Sequence, residues 1–190
     1  MTTLMATQDP DQDDTNLARQ AVHSGEAFAE LYRRNLTRVY RYHMAHTGHT
    51  KDAEDLTSQT FIAALEGIRS FRGSGSFAAW LLGIASKKRF MHFRGRKSEV
   101  SLDEALHYPS PGAPTDQAAL QQLQLESISR ALKQISSDRA EALILTYFSG
   151  LSHAEVGRVL NKSEAAVKML VARGLQDLRE RTSLSMEVEL

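Results

Sequence analysis

Three of the four prolines in this 190-residue chain fall within Tyr108-Pro109-Ser110-Pro111-Gly112-Ala113-Pro114. Each proline removes an amide donor and fixes a backbone angle, so neither a helix nor a central strand can run through this stretch. It reads as a linker between two halves, each of which must bury its own apolar face. In both halves apolar residues recur at three- and four-residue steps, and period-two runs of β-branched residues are absent. The expected class is all-α: two small helical domains joined by a flexible proline-containing linker. With 42% hydrophobic residues there is enough apolar side chain for real cores.

The first half divides into three helices. Phe28, Leu31, Val39 and Tyr42 fit one helix from roughly Glu26 to Thr47, which Gly48 ends. Ala53, Leu56, Thr60, Ala64 and Ile68 line a second, leaving Asp52, Asp55, Gln59 and Glu66 to its other faces. A third starts after Ser76 as N-cap, with Phe77, Leu81, Ile84 and Met91 inward. Beyond the linker, Leu125, Ile128, Leu132 and Ile135 mark a helix, and Leu143, Ile144, Tyr147 and Phe148 mark another that Gly150 closes.

Charge is balanced overall, yet Gly67 to Ser98 holds eight Lys or Arg and no Asp or Glu. Phe71, Phe77, Trp80, Phe90 and Phe93 are interleaved with these cations, and a Gly/Ser-rich loop, Ser70 to Ser76, opens the block. That mixture suits nucleic acid with accessible bases, because cations offset phosphate charge and ring faces stack on bases that have left the helix. The Arg72 to Ser76 loop, Ser74 included, can wrap an extruded base, and Phe71 or Trp80 can support the adjoining stack. Lys87, Lys88, Arg89, Arg94 and Arg96 can follow a backbone. Phe77 and Trp80 also lie on the inferred core stripe, which favours a structural role for both.

The sharpest local pattern is Leu151 to Glu180. Ser152-His153-Ala154-Glu155 is a capping box, Asn161 can take the left-handed turn, and Ser163 can cap a second helix buried through Val167, Leu170, Val171, Gly174 and Leu178. Two short helices around a three-residue break make a helix-turn-helix. Ala165, Lys168, Met169, Ala172 and Arg173 then face outward near the start of the second helix, where such a motif meets base edges and phosphates.

The order and spacing of these pieces resemble the extracytoplasmic-function (ECF) sigma factors of bacterial RNA polymerase. Ala27 to Arg34 is similar to the family's opening helix, and Asp52-Ala53-Glu54-Asp55-Leu56 with Thr60-Phe61 to its polymerase-binding region. Ser70-Phe71-Arg72-Gly73 with Phe77 and Trp80-Leu81-Leu82 resembles its promoter-melting region. Gly150-Leu151-Ser152, Glu155-Val156-Gly157 and Ala166-Val167-Lys168 resemble its DNA-reading domain.

The resemblance implies a division into residues 1–16 as a disordered acidic start, 17–97 as sigma region 2, 98–116 as linker, 117–182 as sigma region 4, and 183–190 as a flexible tail. It implies that Asp52, Glu54, Asp55 and Gln59 meet the β′ clamp helices of core polymerase, with the β subunit a further contact. It also implies that Phe71, Arg72, Ser74, Trp80, Lys87, Lys88, Arg89, Arg94 and Arg96 capture the opened minus-10 strand. Ser163, Ala165, Ala166, Lys168, Met169, Ala172 and Arg173 would read the minus-35 duplex, and an anti-sigma factor would hold the free protein inactive. The chain departs from the family's common residues at Ser58-Gln59, Ser86-Lys87 and Met169-Leu170, and the resemblance implies that Leu170, standing where an Arg is common, leaves Lys168 and Arg173 to bear more of the upstream binding.

Rival classes fare worse on the same residues. Asp52, Glu54 and Asp55 invite a cation, but three acids within four helical residues do not converge on one point, so neither a metal, a cofactor nor an enzyme is expected. His43, His46 and His49 read as solvated histidines near a helix C-terminus rather than ligands. A stand-alone helix-turn-helix regulator is the alternative, and the basic aromatic block argues against it. The chain has no cysteine, no signal-peptide pattern in Met1 to Asp14, and no apolar run near the roughly 20 residues of a membrane span, so a cytoplasmic place without membrane insertion is expected.

Overall fold

The computed structural model describes residues 10–99 and 116–188, with side chains described for residues 13–94 and 123–180. The expected linker lies almost wholly outside the described residues. Helix α1 spans Pro10–Ala21, α2 Gly25–Thr47, α3 Thr50–Gly67 and α4 Phe77–Glu99, and a single 3₁₀ turn, Ile68–Ser70, follows α3. The second half comprises α5 Asp116–Leu132, α6 Ser137–Leu143, α7 His153–Leu160 and α8 Glu164–Val188. Among the described residues there is no strand.

Local chemistry sets the boundaries. Ser24 Oγ accepts from the Ala27 amide at 3.3 Å to start α2, and Gly48, at φ 66°, ends it by donating to the Met44 carbonyl at 2.9 Å. Only glycine takes that left-handed conformation without strain. Ser76 Oγ accepts from the Ala79 amide at 3.2 Å, which starts α4 where expected.

Buried side chains from both halves form one continuous cluster. Leu31, Val39, Tyr42, Phe77, Leu81 and Leu82 come from the first half, and Leu143, Ile144, Leu145, Val156 and Val167 from the second. Each such side chain contributes about 1.5–3 kcal/mol on burial, so the seam between halves is part of the core.

Several expectations are corrected. Helix α1 begins at Pro10 inside the segment expected to be disordered, because Arg34 draws it onto α2: Nη1 donates to Asp13 at 2.5 Å and to Asp14 at 3.0 Å. Asn35 adds a bond to Asp14 at 3.2 Å. Met91, expected inward, is 67% exposed, because α4 runs on past the helices that cover its first turns. Ile128 and Tyr147 also face outward. Ile144–Phe148 is a π-helical continuation of α6, with the Ser149 amide bonded to the Ile144 carbonyl at 3.0 Å, and it rotates Tyr147 off the buried face. His43 is buried and the His46 side chain is only 10% exposed, rather than solvated, since the last turns of α2 lie beneath α3 and the second half.

Candidate nucleic-acid interface

The loop between the 3₁₀ turn and α4 forms one wall of a cleft of about 470 Å³. Phe71, Arg72, Ser74, Trp80 and Lys87 line it, so five of the nine residues expected at an opened strand converge on one hollow. Gly73, at φ 70°, turns the loop. Phe71, Phe77 and Trp80 pack as a three-ring group with centroids 5.5 to 5.6 Å apart. Phe77 is fully buried, whereas Phe71 and Trp80 are half-buried and edge the cleft. The structural role expected for Phe77 and Trp80 therefore coexists, at Trp80, with a ring surface toward the cavity.

The cations divide. Lys87 and Arg94 are exposed, Lys88 is half-buried, and the side chain of Arg96 lies outside the described residues. Arg89, expected along a strand, turns instead into the seam between halves. It donates through Nε to Tyr42 Oη at 3.2 Å and through Nη2 to Glu141 Oε2 at 2.8 Å. Tyr42 Oη donates to Glu141 Oε1 at 2.6 Å, and His46 Nε2 lies 3.1 Å from Oε2 without hydrogen-bond alignment. Burial alone raises the Glu141 carboxyl, but His46, Arg89 and Tyr42 outweigh it and hold the group at about 2. His46 is kept below the ordinary imidazole value by burial, against the pull of Glu141.

The acidic helix α3 presents a second surface. Glu54, Asp55 and Gln59 are exposed, Asp52 is half-buried, and Ile62 and Leu65 stand 58% and 50% exposed farther along. Glu54 also borders a hollow of about 410 Å³ with Tyr32, Leu36, Tyr40 and Thr57. This face joins carboxylates to bare apolar side chains, which suits a basic, amphipathic protein partner better than a solvated helix.

The helix-turn-helix forms as the pattern requires. Both halves of the capping box are made: the Glu155 amide donates to Ser152 Oγ at 3.4 Å, and the Ser152 amide donates to Glu155 Oε2 at 2.9 Å. Asn161 sits at φ 53°, and Ser163 Oγ accepts from the Ala166 amide at 3.2 Å. Val167, Val171 and Gly174 are buried, Leu170 and Leu178 half-buried. Ser163, Ala165, Lys168, Met169, Ala172 and Arg173 are exposed, with Ala166 half-buried behind them.

Comparison with known proteins bears on the same two halves. The Sigma-70 region 2 model matches residues 31–99, and the Sigma-70 region 4 model matches residues 125–178. The ECF RNA polymerase sigma factor BldN of Streptomyces coelicolor is 33% identical over 163 residues, 84% of this chain and 62% of its own length. The chain belongs to the ECF RNA polymerase sigma factors. It spans about three fifths of BldN, but 96% of the RNA polymerase sigma factor YlaC of Bacillus subtilis, to which it is 28% identical over 168 residues.

Solved structures share the fold. CnrH, in complex with the cytosolic domain of CnrY, matches with a TM-score of 0.72 at 23% identity, covering 90% of this chain and 97% of that one. The sigma factor RpoE of Bartonella quintana, in complex with the anti-sigma factor NepR, matches at 0.61 and 23% identity, covering 80% and 94%. In the ECF chain described here, α3 and the aromatic wall of the cleft, Phe71 to Lys87, fall within the region 2 match, whereas Arg158 and Val159 of the cleft and the helix-turn-helix fall within the region 4 match. Sequence reasoning missed Glu141, Arg158 and the buried histidines as contributors to the seam. The available signal was Glu141 itself, a lone acid amid Ala140, Ala142 and Leu143.

Proposed function

We propose that this chain is a non-catalytic specificity subunit that binds core RNA polymerase and directs initiation at a restricted set of promoters. The supporting observation is two unlike surfaces in one sigma chain: a cleft edged by aromatic and cationic side chains on the region 2 side and an exposed outer face of α8 in the region 4 match. In this reading region 2 spans 17–97, region 4 spans 117–182, and residues 98–116 connect them. Asp52, Glu54, Asp55 and Gln59 dock on the basic β′ clamp helices, with the β subunit as a second contact. Phe71, Arg72, Ser74 and Trp80 hold extruded minus-10 bases while Lys87, Lys88, Arg94 and Arg96 track the strand. Ser163, Ala165, Ala166, Lys168, Met169, Ala172 and Arg173 contact the minus-35 duplex. No helix among the described residues is long and apolar enough to cross a membrane, and the protein works in the cytoplasm under an anti-sigma factor.

Unstacking a base costs a few kcal/mol, so strand capture by the cleft must offset it. The decisive experiment mixes the chain with core polymerase and promoter DNA and follows strand opening and transcript initiation. Tight binding of a specific duplex without core enzyme, and no opening with it, would mark a stand-alone regulator. Two variants separate the surfaces. Lys168→Ala is expected to weaken minus-35 duplex binding severalfold and to lower the salt slope of the logarithmic affinity by about one. Arg72→Ala is expected to slow promoter opening about tenfold at unchanged duplex binding, an outcome permanganate footprinting would read. Unchanged initiation by both variants would place DNA elsewhere on the molecule.

A further inference from the structure

Helix α1 precedes residue 31, where the match to the region 2 model begins. It is nonetheless tied to the loop that opens α4. Arg34 bonds Asp13 and Asp14 at the start of α1, Asn35 donates to Asp14 at 3.2 Å, and Ala18 and Ala21 enter the core. These anchors fix α1 on α2, and the helix then reaches further, packing on α4 and on the 3₁₀ turn that leads into the Arg72 to Ser76 loop.

Contact with the loop falls at its turn. A Cβ on Gly73, which sits at φ 70°, would lie 3.4 Å from Thr15 Cγ2 and 3.5 Å from Arg19 Nη2, so a methyl and a guanidinium of α1 stand against the open side of that glycine. The guanidinium is itself steadied, because Nη1 donates to Asn16 Oδ1 at 3.3 Å while Nη2 faces the loop. Arg72 and Ser74, on either side of Gly73, line the cleft, whereas Gly73 does not. Thr15 and Arg19 therefore stand behind the loop, with the cleft in front. A glycine loses more conformational freedom on ordering than any other residue, and this loop contains two, Gly73 and Gly75. A binding loop already held in its bound shape gains affinity, because the ordering cost is met on folding rather than on binding. Arg34, Asn35 and Gly73 all belong to the first half, so this contact does not depend on where the second half sits.

We propose that Thr15 and Arg19 are positioning residues for minus-10 recognition: α1 braces the Arg72 to Ser76 loop from behind and holds it in the shape that accepts an extruded base. This rests on the sigma reading above and adds to its minus-10 site two residues that touch the loop rather than the strand. The brace serves the base and not the phosphates. Lys87 and Arg94 stand on α4, a continuous helix whose course does not depend on the loop, so the strand's backbone is held with or without the brace.

The test uses holoenzyme assembled from core polymerase and the full chain, either as the parent, as Thr15→Ser, or as the Thr15→Ser, Arg19→Ala pair. Thr15→Ser removes only the methyl that lies against Gly73, so it stays informative if the pair folds poorly. The probes are two fluorescein-labelled single-stranded oligonucleotides from the non-template strand of a promoter whose transcript start has been mapped. One is intact, and the other is abasic at the minus-10 position whose base contributes most to binding by the parent. In the pair the ratio of intact to abasic affinity should fall about fivefold, and in Thr15→Ser about twofold, while affinities for the abasic strand and for core polymerase stay within about twofold of the parent. An unchanged ratio would overturn the brace. Equal weakening on both strands would overturn it as well, since Arg19 would then be a phosphate contact. A matching loss of affinity for core polymerase would do the same, by making α1 a general support of the fold. A parent holoenzyme that binds intact and abasic strands alike at every position, or opens no promoter, would instead sink the minus-10 reading, and the brace with it.

Discussion

Gly157→Val should destabilise the helix-turn-helix by about 3 kcal/mol or more and abolish minus-35 duplex binding. Glycine inside a helix ordinarily costs roughly 0.5–1 kcal/mol relative to alanine, so propensity alone predicts that any larger residue at this buried site in α7 stabilises the protein. The packing predicts the opposite sign. A Cβ on Gly157 would lie 2.6 Å from the Lys162 carbonyl oxygen and 3.6 Å from the Glu164 amide nitrogen. Both neighbours are backbone, held by the Lys162 amide's own bond to the Gly157 carbonyl at 2.8 Å, so the obstacle cannot rotate away as a side chain would. To make room, the turn between α7 and α8 must open, and with it the placement of Lys168 and Arg173. Even Gly157→Ala should lose stability. Urea melts followed by far-UV circular dichroism give the sign directly, and a more stable Gly157→Ala protein would show that this turn yields easily.

How far the sequence could be read differs between its local and its long-range features. The capping box at Ser152 and Glu155, the left-handed Asn161, the Gly48 stop and the Ser76 cap were legible because each depends on atoms a few residues apart. The exposed face of α8 was legible for the same reason: burial of Val167 and Val171 determines where Lys168 and Arg173 point. Arg89 shows the limit. In sequence it is one more cation in a basic block, and only Glu141, 52 residues later, draws it inward. His43 and His46 failed likewise, since their burial comes from α3 and from the second half rather than from α2. Residues 10–16 looked too acidic to fold until Arg34 supplied the countercharge. Pairings of this kind leave no periodicity, so composition misreads both partners.

Stability should fall as the solution is acidified from neutral pH, because His43 and His46 are shielded from water. Thr60 Oγ1 donates to the Leu56 carbonyl at 2.7 Å, so its bond with His43 Nε2 at 3.0 Å must be one in which the imidazole donates. Nδ1 then carries the lone pair, buried and without a hydrogen-bond partner. Protonation there would add both a charge and an unmatched donor. Burial, with lesser contributions from His46 and Arg89, accordingly lowers His43 from 6.5 to about 3, and His46 shifts the same way. A histidine whose folded value is depressed takes up its proton in the unfolded chain first. Its stabilising contribution is therefore complete above about pH 6.5 and declines as pH drops from there toward about 3. For His43 alone the loss between pH 7 and pH 5 is on the order of 2 kcal/mol, and His46 adds to it. Glu141 contributes a further loss only below its ordinary value of 4.5, outside that window. Urea melts at half-unit steps from pH 7.5 to pH 5 should show the decline, and His43→Leu should flatten much of it. A wild-type stability that stays level down to pH 5 would mean that His43 takes up its proton without disturbing the packing of α2 on α3.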